Sequence, residues 1–262
     1  MPIDVTDLRS FYSSSLGEVA RRAVHKIVRQ RFSNCSGYSI LGVGYATPYL
    51  DVFREEAVRV LAFMPAEQGV MNWPLSGVSS SALVETTAIP LPNSCIDRAL
   101  VVHALEITDH PHQLLSEIWR ILTPGGRVIV AVPSRSGLWA RLDRTPFGHG
   151  RPYSRIQLGE LLRNALFSPE YWTEALYIPP FQHRTLLHGA KFAEEIGAAL
   201  SLPWGGVLMV EATKLLYLPV GARRTAAYGV TATSGSPVFV PEAAGASPVV
   251  APLIARNGEF CP

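Results

Sequence analysis

"HPHQLLSEIWRILTPGGRVIVAVP", His110 to Pro133, decides the fold. Leu114, Leu115, Ile118, Ile121 and Leu122 recur at three- and four-residue steps, the spacing of an amphipathic helix. The helix stops at "TPGG". Five consecutive apolar residues then follow, Val128 to Val132, a run suited to a strand buried on both faces of a sheet. A helix feeding a doubly buried strand is one half of a β-α-β unit, whose crossover is right-handed and whose sheet is parallel.

Reading outward adds further units of the same kind. "GYSILGV" is a short apolar run ending in glycine, "AVRVLAFM" a second strand, "SALVE" a third and "CIDRALVVHAL" a fourth. "TPYLDVFREEA" predicts a helix, with Thr47 as N-cap and Pro48 in the first turn, where its missing amide hydrogen costs nothing. Before the first strand, Leu8, Phe11, Tyr12, Leu16, Val19, Ala20, Ala23, Val24, Ile27 and Val28 mark one amphipathic helix, or two, over Thr6 to Arg31. Beyond Arg141, "RIQLGELLRNALF" and "KFAEEIGAALSL" read as helices and "GGVLMVEATKLLYL" as a long strand. From about Ala222 the chain is rich in Ala, Gly, Pro, Ser and Val with no clear period, the composition of a disordered tail. The expected organisation is a helical segment over 1–36, an α/β domain over 37–221 and a tail over 222–262. The α/β domain is a doubly wound, Rossmann-like, mostly parallel sheet.

Bulk properties narrow the function. With 262 residues the chain is long enough to bury a sizeable core. Its formal charge of +2 predicts little steering toward nucleic acid or an anionic membrane. "RRAVHKIVRQR" is a local basic helix face without interleaved aromatics, read as solvated rather than as a phosphate track. Cys35, Cys95 and Cys261 are widely separated and lack metal-ligand or disulfide spacing, which points to reduced thiols in a cytoplasmic protein. The N-terminus is acidic and polar, unlike a signal peptide, and no apolar run is long enough to span a membrane.

In an open α/β sheet a ligand is expected at the carboxyl ends of the strands. The loop "LGVGYATPYL" lies there, and Gly42 and Gly44 allow a backbone to approach a ligand, Ala46 and Pro48 less so. "AIPLPNSCIDRALVVHALEITDHPHQLLSEIWRILTPGGRVIVAVPS" resembles the class I S-adenosylmethionine-dependent methyltransferases, especially their small-molecule branch. The matching residues are Ile89 to Pro92, Asp97, Leu105, Glu106, Arg120 to Leu122, Pro124, Gly125 and Gly126. This resemblance implies a seven-stranded sheet with an antiparallel last strand, S-adenosylmethionine as cofactor and a small-molecule acceptor.

It also implies a donor site on Gly42, Gly44, Tyr45, Ala46, Met64, Glu85, Thr86 and His103. The glycine motif is degenerate, because only Gly44 of the family's three glycines is kept. Met64 falls where the family places the acid that binds the ribose, and a thioether does not replace it; Glu67 is the nearby substitute. His149, Arg151 and Tyr153, in the segment after the fifth strand, fall where related enzymes contact substrate. His103, His149 and Tyr153 are the candidates for a general base. His183 and His188 are too isolated for a metal site. The rival reading is a binding or regulatory protein that keeps the fold and has lost the donor; an oxidoreductase is disfavoured by the broken glycine fingerprint. The N-terminal helix either covers the cofactor side or packs on the sheet, and the sequence leaves both open.

Overall fold

The computed structural model describes residues 3–142, 145–180 and 204–216. The helix expected at "KFAEEIGAALSL", the tail from Ala222, His183 and His188 lie outside the described residues.

Two helices precede the sheet. The first, α1 (Val5–Tyr12), begins where the Asp4 carboxylate accepts the Thr6 amide; α2 (Ser15–Arg31) begins where Ser14 accepts the Gly17 amide. The cap at Ser14 divides the expected N-terminal helix in two. Seven strands follow: β1 (Ser39–Gly44), β2 (Arg59–Pro65), β3 (Ser81–Val84), β4 (Ile96–Val102), β5 (Leu122–Pro133), β6 (Phe167–Ala175) and β7 (Val207–Lys214). Their order is β3-β2-β1-β4-β5-β7-β6, with β7 antiparallel to both its neighbours and the first five parallel. This is the expected mostly parallel sheet. Val128 to Val132 are buried throughout, as the run predicted.

The helix expected at "TPYLDVFREEA" is corrected. It is α3, a single turn at Thr47–Leu50, continued by a 3-10 turn at Asp51–Phe53. Ala46, not Thr47, is its N-cap and supplies no side-chain acceptor, while Thr47 is buried in the turn itself. An uncapped short segment gains too few hydrogen bonds to repay helix nucleation, and burial of Leu50 and Phe53 holds the turn instead. No helix joins β2 to β3 or β3 to β4. The remaining α-helices among the described residues are α4 (Pro111–Ile121) and α5 (Arg155–Asn164), the latter opened by a reciprocal Ser154–Gln157 capping box.

The helices cover opposite faces. α1, α2, α3 and the 3-10 turn after it pack on one side through Leu8, Val24, Val28, Tyr49 and Phe53. α4 and α5 pack on the other through Leu114, Ile118, Leu158 and Leu162. The basic face of α2 is tied to carboxylates: Arg29 pairs with Glu56, and Arg31 joins Arg127 on Glu211, which is 1% exposed within β7. The segment that carries the family resemblance is held by Arg120. Its guanidinium donates to the Ile89 and Leu91 carbonyls, to Asn93 and to Glu117. Asp97 accepts the Ser39 amide and the Thr123 hydroxyl, so its role is to fasten the amino-terminal edge of the sheet.

Candidate active site

β1 ends in Gly44 with φ +82°, a conformation that favours glycine. A Cβ there would lie 2.2 Å from the Val102 carbonyl oxygen, so the glycine lets the β1 loop press against the end of β4. A Cβ on Gly42 would meet Leu50 and Ala46 at 2.6 and 2.7 Å, which makes Gly42 the seat of α3. The two glycines are thus used by the chain's own backbone and side chains.

His103 follows β4 directly. Its φ is +53°, rare for a residue with a Cβ, and it is 1% exposed. Surrounding contacts hold it there. The Gln68 amide group donates to its carbonyl at 3.0 Å, Nδ1 lies 3.0 Å from Glu106 Oε1, and Nε2 lies 2.9 Å from the Tyr12 hydroxyl. The Phe147 ring lies 4.7 Å from the imidazole.

The proton directions in this chain follow from its far end. Tyr49 donates its hydroxyl hydrogen to Tyr12 at 2.9 Å, leaving Tyr12 to donate its own to His103 Nε2. Nδ1 then carries the imidazole hydrogen and donates it to Glu106. Burial pushes the Tyr12 hydroxyl well above its ordinary pKa, with Tyr49 adding to the effect, so Tyr12 stays a donor. Tyr45 completes the cover, stacked on Tyr12 with ring centres 5.4 Å apart. α1 therefore lies over the carboxyl ends of β1 and β4, whereas α2 packs on the sheet.

The expected donor residues divide. His103 is the centre of the cluster, Tyr45 walls it, and Ala46 is buried beneath the loop. Met64 is fully buried and its sulfur accepts the Met71 amide at 3.4 Å. Glu67 and Glu85 are exposed, while Thr86 is buried. Of the expected substrate residues, Tyr153 donates its hydroxyl to the Leu105 carbonyl at 3.2 Å and Arg151 donates its amide to the Glu106 carbonyl at 2.8 Å. The Arg151 guanidinium points outward, 3.6 Å from Asp109, and His149 is half-buried in the same loop. The loop is thereby locked onto the turn bearing Glu106. Tyr12 was visible only as an apolar position of the N-terminal helix, Gln68 and Phe147 carried no signal in sequence, and Glu106 was visible as part of a family-like turn but not as the partner of His103.

The parallel order β3-β2-β1-β4-β5 with an antiparallel β7-β6 edge, and a glycine turn at its carboxyl ends, is the fold of the class I S-adenosylmethionine-dependent methyltransferases. Residues 34–130 match the family model described as a methyltransferase domain. A probable S-adenosylmethionine-dependent methyltransferase of Mycolicibacterium smegmatis is 27% identical over 197 residues, which cover 71% of this chain and 75% of that protein. Among solved structures, an S-adenosylmethionine-dependent methyltransferase of Thermotoga maritima, described as a possible histamine N-methyltransferase, aligns with TM-score 0.56. It is 16% identical, covering 80% of this chain and 96% of its own. The 4+2 cyclase SpnF aligns with TM-score 0.52 at 22% identity, covering 74% and 81% of the two chains. Both likenesses concern the fold.

The cluster suits the class's cofactor at one end. Gln68 Oε1, Glu106 Oε2 and Thr145 Oγ1 are buried side-chain atoms with no hydrogen-bond partner among the described residues. Gln68 and Glu106 both touch His103, and Thr145 stands two residues before Phe147. Unpaired acceptors at this place suit a ligand with a cationic group, since a buried acceptor left unmatched costs about 1–3 kcal/mol. At the other end, Met64 offers no carboxylate to a ribose.

Proposed function

We propose that the chain methylates a small, hydroxyl-bearing acceptor with S-adenosylmethionine, with His103 as the general base. The observation that carries this reading is the His103–Glu106 hydrogen bond at the carboxyl end of β4, on a residue held at positive φ. A buried carboxylate behind Nδ1 fixes the tautomer in which Nε2 has the free electron pair, and steadies the imidazolium formed when Nε2 takes a proton. S-adenosylmethionine supplies an already activated methyl group, so the protein's tasks are alignment, exclusion of water and removal of the acceptor proton. Gln68, Glu106 and Thr145 are the proposed contacts of the donor's polar end, with Tyr45 as the wall.

Tyr12 occupies Nε2 in this arrangement. Exchange of that hydrogen bond for the acceptor's hydroxyl requires α1 to lift from the end of β4. The loop of His149, Arg151 and Tyr153, already fastened to Glu106, is the proposed acceptor side. The setting we propose is the cytosol, as the unpaired Cys35 and Cys95 suggest.

A second reading is favoured by the same closure. Tyr12 seated on His103, together with Met64 in place of the ribose acid, suits a protein that keeps the fold without using the donor; the cyclase neighbour has the same fold under another activity.

Calorimetric titration with S-adenosylhomocysteine separates the two. Binding, accompanied at 100-fold excess over Kd by about 2.7 kcal/mol of stabilisation or roughly 5 to 10 °C in Tm, supports methyl transfer. Absence of heat and of a Tm shift at millimolar ligand sinks it in favour of the donor-less reading.

A further inference from the structure

A cavity of about 550 Å³ opens beside the β1 loop, between α1, α2, α3 and the segment after β2. Neither His103 nor Glu106 lines it, but Tyr12 and Tyr45 do, so it adjoins the cluster at the end of β4 on the far side of these two rings. Its walls hold three guanidinium groups, Arg9, Arg21 and Arg54, and three aromatic rings, Tyr12, Tyr45 and Trp73. Asp51 is the single carboxylate among the lining residues, and it accepts the Trp73 indole hydrogen at 3.1 Å. Of the three arginines, only Arg21 has an ion-pair partner among the described residues, Glu18 at the loose distance of 3.9 Å. Arg54 lies 5.7 Å from the centre of the Trp73 ring.

We infer that this cavity binds a planar aromatic molecule bearing an acidic group, a carboxylate or a phosphate. Three like charges brought to one cavity repel one another, and an anion relieves that repulsion. Guanidinium groups also match both oxyanions with paired, charge-assisted hydrogen bonds. The aromatic walls give the rest of the ligand an apolar bed, with cation–π contact from arginine available to a ring lying against them. The volume falls within the range typical of small-molecule pockets, roughly 300–1,000 Å³. Leu75, 79% exposed among the lining residues, is an apolar lip that a ring would cover. The inference does not rest on methyl transfer, since none of these groups is assigned to it except Tyr12, as cover, and Tyr45, as wall.

The test is calorimetric titration of the full chain with 2-naphthoate, 1-naphthyl phosphate and the uncharged 2-naphthamide, with tryptophan fluorescence followed in parallel. At least one of the two acids is expected to bind and to alter the emission, tenfold or more tighter than the amide. The preferred acid distinguishes carboxylate from phosphate recognition. Arg9→Gln and Arg54→Gln, both exposed positions, are expected each to weaken that acid by fivefold or more while Tm stays within 2 °C of the parent. Equal binding of acid and amide, no binding of either acid at millimolar concentration, or full affinity in both variants overturns the inference.

Discussion

The Tyr12 hydroxyl donates to His103 Nε2 across 2.9 Å, joining residues 91 positions apart and placing α1 over the end of β4. Because Tyr49 already gives its proton to Tyr12, the imidazole is the Nδ1–H tautomer, with Glu106 as acceptor. Nitrogen-15 NMR of the His103 ring is expected to show a protonated Nδ1 and an unprotonated Nε2 at neutral pH. The opposite pattern would remove the basis for His103 as a base acting through Nε2.

Tyr12→Phe deletes the middle of this chain. The Tyr49 hydroxyl and His103 Nε2 lose their partner in a buried place, which is expected to lower stability by about 1–3 kcal/mol. Urea denaturation should show a lower midpoint at an unchanged slope. An unaltered midpoint would mean that water enters the site and the cover is loose.

Gly44 is held at φ +82° against the Val102 carbonyl. Gly44→Ala combines an unfavourable backbone conformation with a 2.2 Å approach to main chain that has no room to give. The expected cost is about 2–4 kcal/mol, from roughly 1–3 for the conformation plus the displacement of a strand end. Thermal unfolding measures it, and a loss below about 1 kcal/mol would show that the loop relaxes freely.

Arg120 is the hub of the 88–122 segment. Arg120→Ala strands the Ile89 and Leu91 carbonyls and is expected to cost about 2–3 kcal/mol. It also changes the acid limb of stability. Hydrogen bonding from Arg120 lowers the Glu117 pKa below its ordinary 4.5, so the parent's contribution is present above that value and fades as pH falls through the folded-state pKa. Stability measured against pH should therefore fall less steeply below pH 4.5 in the variant than in the parent.

On the alkaline side the sign reverses. Burial raises the Cys35 thiol from 9.0 to about 11 and lifts the Tyr12 and Tyr49 hydroxyls above 10. Above pH 9 the unfolded chain loses these protons before the folded one does, so each group makes stability decline with rising pH, by at most about 1.4 kcal/mol per pH unit. Denaturation midpoints are expected to drop between pH 9 and 11, and Cys35→Ala should flatten the first part of that decline. A midpoint that holds steady to pH 11 would contradict the burial of all three.

The sequence alone determined the parallel body of the sheet. Val128 to Val132 had only one way to bury both faces, the spacing of Leu114 to Ile121 had to be helical, and a helix crossing between β4 and β5 brings the two strands parallel. Those are local, periodic signals. β6 was not among them, because "FSPEYWTEA" mixes charges with aromatics on a strand at the sheet's edge, where one face and one side are less buried and alternation is weak. α3 departed from expectation because Thr47 is buried inside the turn rather than standing at its N-cap, where its usual preference would have placed it.

The site was legible only in part. His103 and Tyr45 could be placed from their positions relative to β4 and β1, and Met64 stood out as a missing carboxylate. Tyr12, Gln68 and Phe147 join His103 from distant parts of the chain, and no spacing in the sequence encodes a hydrogen bond across 91 residues. Glu106, three residues from His103, reaches it only because the backbone turns at positive φ. Periodicity fixes which face of an element is buried. Which side chains then meet over the ends of the strands is decided by how α1 and the loops pack, and that is a property of the tertiary structure alone.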